Sequence, residues 1–260
     1  MLSDNLLLAS LSPPVLRQVM ALCTPVALPL RTNLYQPGRS LAYAYFITSG
    51  IASVVTATEE GQSTEVHMVG REGLVGSLQL LGPGLVSTVC FMQAEGTALR
   101  IDFSRLQELF LTNDELRARI LEFVQEQAIT TAQIAGCHRL HSAEQRLALW
   151  LLIGSDRIQS DKLSFTQEFL AEMMGTRRTT VTAVATTLQR EGLIQYQRGR
   201  ITLLSRPKLE IAACYCYQVI RALYSNLYHL PFATDGAAQV AQHQQARQRP
   251  VRDPNGATSA

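Results

Sequence analysis

The clearest chemical signal in the sequence is a basic segment in the last third of the chain. Between Arg177 and Lys208, seven arginine and lysine residues stand against one acidic residue, Glu191. That window carries a net charge of +6, whereas the whole 260-residue chain carries +2, so the rest is mildly acidic. A basic segment on an acidic body is typical of a surface that meets phosphate groups. A solvated basic surface has the same charge pattern, so the spacing of the residues must distinguish the two interpretations.

Two short helices separated by a turn are predicted at the start of this segment. Thr166 can cap a first helix, and Gly175 can end it in a left-handed conformation. Thr176 can then cap a second helix, and the pair would form a helix-turn-helix. The alternative is an ordinary helical hairpin that binds nothing. The apolar residues predicted to face inward are Phe169, Leu170, Met173, Val181, Val184, Ala185 and Leu188.

The outward face of the second helix carries small polar and basic side chains. Arg178 could bond guanine through two hydrogen bonds, and Thr179 and Thr182 could reach base edges or a thymine methyl group. After Gly192, two short strands are predicted on either side of a cationic tip, Gln197–Arg200. Such a wing suits contact with a phosphate backbone.

Other constellations that could carry chemistry are incomplete. The chain has no G-x-S-x-G elbow, no P-loop and no H-E-x-x-H motif, so no catalytic residue is assigned. Glu65 and His67 share one face of a predicted strand and could ligate a metal as in cupin-like barrels, although a polar, solvent-exposed strand face explains such a pair as well. His138 and His141 lie near a helix junction, where hinge or dimer contacts are the main expectation. No metal or cofactor is therefore predicted.

The five cysteines are odd in number and form no C-x-x-C pair. This spacing argues against a disulfide scaffold or a zinc ribbon and favours a reducing compartment. Cys137 is expected to be a buried structural thiol, with a redox role as the alternative. Cys214 and Cys216 are placed on one predicted helix, Leu209–Tyr228, where they would point apart and form no local disulfide.

The first half of the chain is predicted to be a β domain. Turn signals recur at close intervals, including Thr48–Gly50, Glu59–Gly61 and Glu95-Gly96. Short β-branched and aromatic stretches lie between them, which favours a sandwich or small barrel after a short helical opening.

A long helix follows the β domain, from an N-cap at Asn113 to about His138. We expect its stripe to form a dimer seam, and the alternative is that it packs on its own β domain. Ser142 and Gln145 then form a capping-box pattern that opens the next helix. The stripe consists of Leu116, Ile120, Phe123, Gln127, Thr130, Ile134 and Cys137.

Length and composition limit the class of protein. Hydrophobic residues make up 47% of the chain and charged residues 17%, enough for folded cores. The most apolar run, Leu147–Ile153, is far shorter than a membrane helix, and Asp4 stands where a signal peptide has positive charge. We therefore expect a cytoplasmic protein without membrane contact. The predicted divisions are 1–112 for the β domain, 113–140 for the long helix, 141–230 for the helix-turn-helix domain and 231–260 for a disordered tail.

These motifs resemble the Crp/Fnr family of bacterial transcription regulators, from about Leu6 to about Tyr228. The resemblance implies an α+β fold, with an N-terminal cyclic-nucleotide-binding-type β-roll (jelly roll), a long dimerisation helix and a C-terminal winged helix-turn-helix. By the same resemblance Arg178 falls on the family's base-contacting arginine and Thr180 on its phosphate-contacting threonine. The segments that carry it most clearly are Tyr45–Gly50, Leu140–Trp150 and Phe165–Leu193.

The sequence also departs from the family pattern. Thr179 replaces a base-reading glutamate and Ala183 a second arginine, so the operator is expected to differ from the family consensus. Ser77 follows Gly76 where the nucleotide cassette has glutamate, and Leu85 stands where its arginine should be. A buried cyclic phosphate would then lack its cation. Oxygen-sensing relatives hold an iron–sulfur cluster with several cysteines, mostly near the N-terminus. This chain has only Cys23 there, so no such cluster is expected.

The sequence thus predicts a homodimeric regulator that binds double-stranded DNA, with RNA polymerase as a further partner and a small-molecule effector possible. The alternative is a cupin-like metal-dependent enzyme or small-molecule sensor with a helical assembly domain. The effector pocket would comprise Gly76, Ser77, Leu78, Leu85, Val86, Ser87 and Thr88. The predicted DNA contacts are Thr166, Gln167, Arg177, Arg178, Thr179, Thr180, Thr182, Arg198 and Arg200.

Overall fold

A computed structural model describes residues 3–58, 63–82 and 86–229 of the chain. Its N-terminal half is an antiparallel β-roll with strand order β1-β6-β3-β4, in which β2 pairs with β6 and β5 with β3. One apolar core fills the roll and includes Phe46 and Met92, both fully buried. The elements are α1 (Leu6–Ala9), α2 (Pro13–Met20), β1 (Thr24–Leu28), β2 (Asn33–Tyr35), β3 (Tyr43–Ala57), β4 (Ser63–Val69), β5 (Leu74–Val75), β6 (Val89–Asp102) and α3 (Phe103–Thr112).

Two of the predicted turns are wrong, because both lie inside long strands. Thr48–Gly50 is part of β3 and Glu95-Gly96 is part of β6, and the two segments face each other. The pairing register shifts on both sides of Ser49, which marks a bulge that bends the two strands together. Gly50 has a φ of +79° there. Glycine signals a turn and a bulge alike, so sequence alone does not separate them.

Gly96→Ala should destabilise the protein by roughly 3 kcal/mol, near the upper end for overpacking. A Cβ atom at this position would lie 1.9 Å from the backbone oxygen of Ser49, and no side-chain rotation can relieve a backbone contact. Urea unfolding measures the effect. Gly82→Ala is the matched control, since no described atom lies within 4 Å of its Cβ position. Equal unfolding midpoints for the two variants would contradict the argument.

The long helix α4 (Asp114–Leu140) begins as predicted, because the Asn113 side chain accepts a hydrogen bond from the N–H of Leu116. The stripe expected to form a dimer seam is instead largely buried against the protein's own chain. Leu116, Ile120 and Phe123 have no exposed surface and pack into the core of the roll. The alternative, packing on its own β domain, is therefore correct for the first half of the stripe, whereas Ile134 and Cys137 pack in the core of the C-terminal half.

A second stripe of α4 is exposed on the opposite side of the helix, and we call it the outer face. Leu121 and Ile129 are each 43% exposed, unusual for large apolar side chains on a helix this long. Ala128, Ala132 and Ala135 add small side chains to this face, and the exposed Gln125 lies between Leu121 and Ile129. The outer face consists of Leu121, Ala128, Ile129, Ala132, Ala135 and Leu140.

The C-terminal half is a helical domain with a small antiparallel sheet, in the order β7-β9-β8. Ser142 and Gln145 form the predicted capping box at its first helix. A second core fills this domain and takes in Ile51, Val55 and Met68 from the roll, so the two halves share apolar contact. The elements are α5 (Ala143–Ile158), β7 (Lys162–Ser164), α6 (Gln167–Met173), α7 (Arg178–Arg190), β8 (Ile194–Gln197), β9 (Arg200–Leu203), α8 (Arg206–Ala212) and α9 (Cys216–Leu227).

The single helix predicted over Leu209–Tyr228 is wrong, because the chain leaves helical conformation between α8 and α9. Ala213, with a ψ of +156°, ends α8, and Cys214 lies in the break. The predicted turn at Glu59–Gly61, Leu85 and the tail 231–260 lie outside the described residues. Within the described part of the chain, no helix has both the length and the hydropathy needed to cross a bilayer.

Candidate nucleic-acid interface

The helices α6 and α7 form the helix-turn-helix that the sequence predicts. The Thr166 hydroxyl accepts a hydrogen bond from the N–H of Phe169 at 3.1 Å and caps α6. Gly175 follows α6 with a φ of +56°, a conformation that favours glycine. Val181, Ala185 and Leu188 turn the inner face of α7 into the core. The two helices are thereby fixed at a set angle with the opposite face of α7 free.

The predicted cap of α7 is wrong by one residue. Arg177, not Thr176, occupies the N-cap position, and its side chain makes no capping hydrogen bond with the described residues. The N–H of Thr176 bonds back to the carbonyl of Ala171 at 2.9 Å and closes α6 instead. Because Thr176 completes the first helix, the second starts one residue later.

The free face of α7 presents most of the predicted DNA-contacting residues to solvent. Arg177, Arg178, Thr179 and Thr182 are exposed, whereas Thr180 is half-buried. Arg178 lies 3.5 Å from the carboxylate of Glu168, and both side chains are more than 60% exposed, so this ion pair is weak. The Arg178 guanidinium is therefore available to another acceptor.

Two of the predicted contacts come from the first helix. The Thr182 hydroxyl donates to the side-chain oxygen of Gln167 at 2.7 Å, which joins α7 to the start of α6. Thr166, the exposed N-cap of α6, directly precedes Gln167. The structure thus brings Thr166 and Gln167 together with the polar face of α7.

The wing consists of β8, β9 and a two-residue turn. Arg198 and Gly199 both have positive φ, +49° and +78°, which is the geometry of a type I′ hairpin turn. Arg198 and Arg200 are exposed at the tip. The Tyr196 hydroxyl donates to the carbonyl of Phe165 at 2.9 Å and holds the wing against the start of α6. The cationic tip therefore has a fixed position beside the helix-turn-helix.

A cavity of about 330 Å³ lies in the β-roll at the predicted effector pocket. Of the predicted residues, Gly76, Ser77, Leu78 and Thr88 line it, whereas Val86 and Ser87 lie outside the lining. The Ser77 hydroxyl donates to the side-chain oxygen of Gln127 on α4 at 2.8 Å. The cavity wall is therefore bonded directly to the long helix.

The polar groups of this cavity do not suit a cyclic phosphate. No arginine or lysine is found among the described residues that line it. His67 is buried there, and burial followed by the nearby Arg157 charge lowers its pKa to about 3, so the imidazole is neutral. Neither ring nitrogen of His67 has a hydrogen-bond partner within the described residues. A neutral ring with two free nitrogens suits an uncharged polar group.

Comparison with protein families matches both halves of the chain. Residues 25–113 match the model of the cyclic nucleotide-binding domain, and residues 145–211 match the model of the Crp-like helix-turn-helix domain. The two matches occur in the order found around the long helix α4. The chain belongs to the Crp/Fnr family.

Solved structures share the fold at low sequence identity. The c-di-GMP-responsive global regulator CLP of Xanthomonas campestris has a TM-score of 0.63 and 19% identity, and the match covers 75% of this chain and 100% of that one. A crp/fnr-family regulator from Eubacterium rectale has a TM-score of 0.63 and 16% identity, covering 78% and 94%. A CRP-family regulator from Thermus thermophilus has a TM-score of 0.60 and 20% identity, covering 73% and 96%. No curated protein matches the chain.

In this Crp/Fnr chain, the helix-turn-helix domain rests on strand β4 of its own roll. The Thr64 hydroxyl donates to the carbonyl of Met173 at 3.2 Å, and the Ser63 hydroxyl donates to the carboxylate of Glu172 at 2.6 Å. The indole N–H of Trp150 on α5 donates to Glu65 at 2.8 Å. Glu65 also bonds the Ser53 hydroxyl. These bonds join the wall of the roll to the domain that carries α7.

The interpretation of Glu65 and His67 as an exposed polar pair is wrong. Glu65 is buried at this contact, and His67 is buried where it lines both the roll cavity and the space beside α5. The cupin-like alternative needs a third ligand beside them, and none is found in the described part of the chain. Burial raises the pKa of Glu65 to about 7, although the hydrogen bonds from Ser53 and Trp150 and the charge of Arg157 lower it. The sequence shows only that polar and apolar residues alternate along this strand. That alternation does not reveal that a second domain covers one of its faces.

Glu65 should make the stability of the protein fall between about pH 4.5 and pH 7. The folded-state pKa of about 7 lies above the ordinary value of 4.5, so the native state keeps a proton that the unfolded state releases. This contribution to the free energy of unfolding is fully present below pH 4.5 and is lost as the pH rises to 7. The total loss is roughly 3 kcal/mol at most. Urea unfolding of Glu65→Gln and wild type should agree near pH 4.5 and diverge by pH 8, with Gln the more stable. Exposed Glu191→Gln is the control, and identical pH profiles for all three proteins would contradict the assignment.

Proposed function

We propose that this chain is a sequence-specific DNA-binding transcription regulator that acts as a homodimer on a palindromic operator. The observation that carries the proposal is the exposed face of α7. There Arg177, Arg178 and Thr179 have no strong partner among the described residues, and Thr182 is exposed although its hydroxyl bonds Gln167. The wing tip adds Arg198 and Arg200 beside it. Arginine and short hydroxyl side chains on an exposed helix suit the edges of bases, and the wing suits phosphates.

The outer face of α4 supports the homodimer. It leaves Leu121, Ile129 and Leu140 exposed on the side of the 27-residue helix opposite to the residues that are buried in the β-roll core. A palindromic site requires a dimer that presents both of its α7 helices on one side. The two helices would then enter successive major grooves, about 34 Å apart.

The β-roll would act as the sensor domain. Its cavity reaches α4 through the bond from Ser77 to Gln127, so a bound molecule could shift the helix that forms the dimer contact. The neutral His67 ring indicates an uncharged polar effector rather than a cyclic nucleotide. We place the regulator in the cytoplasm with RNA polymerase as a further partner, as is typical of the family, and assign it no enzymatic activity. The chain divisions 1–112, 113–140 and 141–230 stay part of this proposal.

Arg178→Ala should remove sequence preference at one base pair of each half-site. We expect a loss of about 1–3 kcal/mol against the preferred base, with little change for random DNA. Selection from random duplexes, followed by titration at two salt concentrations, measures both quantities. Arg190→Ala is the matched control, because Arg190 is exposed at the far end of the same helix.

The outcomes of this experiment define the role of Arg178. If Arg178→Ala weakens all sequences equally, Arg178 contacts phosphate and does not read bases. If wild-type protein retains no DNA even at low salt, the regulator proposal fails. Salt-sensitive binding without an enriched palindrome would contradict the homodimeric operator while leaving backbone contact in place.

A further inference from the structure

A compact cluster of metal-ligating side chains lies where α4 ends and the C-terminal helices meet. Cys137 is in the last turn of α4, and His141 is the residue that follows this helix. Cys214 lies in the break between α8 and α9, and Cys216 begins α9. The three thiols are buried and the imidazole is half-buried. The break between α8 and α9 is what turns both cysteines toward α4, because i and i+2 positions of a continuous helix point apart.

The distances in this cluster suit one tetrahedral ion. The Sγ atoms of Cys137 and Cys214 are 3.4 Å apart, and the Sγ atom of Cys216 lies 3.5 Å from Nδ1 of His141. All four ligand atoms lie within 4.8 Å of one another. Zinc bonds of about 2.3 Å to sulfur and 2.0 Å to nitrogen give tetrahedral edges of roughly 3.8 and 3.5 Å. An iron–sulfur cluster holds several irons and sulfides between its ligands and needs its cysteines farther apart.

A fifth side chain supports the ligand role of the cluster. The Gln133 amide N–H, one helical turn before Cys137, donates to the Sγ atom of Cys216 at 3.0 Å. An N–H donor aimed at sulfur stabilises a thiolate, and such outer contacts orient the ligands of structural metal sites. A buried thiol that merely fills space needs no such donor.

We propose that Cys137, His141, Cys214 and Cys216 bind one structural zinc ion. Three thiolates and one neutral imidazole form a closed tetrahedral set with no position left for water, as in structural rather than catalytic sites. The ion fixes the start of α9 to the end of α4, immediately before α5 begins. It therefore sets the joint between the long helix and the helix-turn-helix domain. The site is independent of DNA binding and is tested without DNA.

The first test is the metal content of the full-length protein purified under reducing conditions and supplied with zinc. We expect one equivalent of zinc per chain, and cobalt in its place should give the intense visible bands of a tetrahedral thiolate site. His141→Ala and Cys214→Ser should each lower zinc affinity at least tenfold, measured by competition with a chromophoric chelator. The matched controls are His138→Ala and Cys23→Ser, which lie outside the cluster and should retain full affinity.

A second measurement keeps the proposal falsifiable if Cys214→Ser fails to fold. Zinc should raise the melting temperature of wild type and of His138→Ala and leave that of His141→Ala nearly unchanged at the same concentration. Substoichiometric zinc in a replete preparation would overturn the proposal, and so would iron with acid-labile sulfide. A disulfide between Cys137 and Cys214 in protein that excludes zinc would overturn it as well.

Discussion

Ala132→Glu is expected to convert the protein to a monomer and to lower its affinity for its selected operator by about a thousandfold or more. Ala132 is exposed at the middle of the outer face of α4. In a symmetric dimer the same face meets itself, so each substitution places two carboxylates in one apolar contact. A monomer offers one recognition helix instead of two, which leaves binding close to the non-specific level. Analytical ultracentrifugation and operator titration measure the two effects.

The control for this variant is Gln107→Glu, which adds the same charge at an exposed position of α3. Both variants should keep the wild-type melting temperature once the dimer contribution is removed by dilution, because neither replaces a buried side chain. A dimeric Ala132→Glu protein with wild-type operator affinity would show that the outer face is not the interface. The dimer would then have to form elsewhere on the β-roll.

Arg157→Met is expected to lower the free energy of unfolding by about 3–5 kcal/mol. The Arg157 side chain on α5 is 9% exposed and donates from Nε to Glu72 of the roll at 2.9 Å, and Glu72 is 2% exposed. Burial opposes the charge of Arg157, but the carboxylates of Glu72 and Glu126 hold its pKa above the ordinary value. Removal of the guanidinium leaves the Glu72 carboxylate buried without a cation.

A double-mutant cycle separates this cost from lost packing. Glu72→Gln in the Arg157→Met background should restore a large part of the stability, because the stranded charge is removed. The exposed pair of Arg105 and Glu108, with both side chains more than 60% exposed, is the control, and Arg105→Met should cost under about 1 kcal/mol. If Arg157→Met lowers the free energy of unfolding no more than Arg105→Met does, the buried pair contributes little to the contact between the two halves.

Local features of the fold could be predicted from the sequence because they depend on neighbouring residues. The caps at Asn113, Ser142 and Thr166 act over three residues, and the structure confirms each of them. The wing is also local, since Arg198-Gly199 lies between two short apolar stretches. The exposed face of α7 follows from helical spacing alone. For the same reason the helix-turn-helix is the part of the candidate site that the sequence predicts best.

Features that depend on distant contacts could not be predicted. The mostly apolar stripe of α4 could meet a second chain or its own roll, and only the fold decides between the two. The alternation around Glu65 gives no sign that Trp150 covers it from 85 residues away. Cys137 and Cys214 are separated by 77 residues, and a single unpredicted break after α8 brings them together. In each case the missing information is which surfaces meet.

Trp150 has a consequence for how the molecule can be studied. It is the only tryptophan of the chain, and its indole donates to Glu65 at the place where α5 meets the roll, with 7% of the residue exposed. Fluorescence excited at a wavelength selective for tryptophan therefore arises from one indole at one place. Separation of the two halves would admit water to the ring and move its emission to longer wavelength. Candidate effectors and operator DNA can thus be titrated on unlabelled protein. The emission wavelength of Trp150 would report whether the contact between the two halves is closed or open.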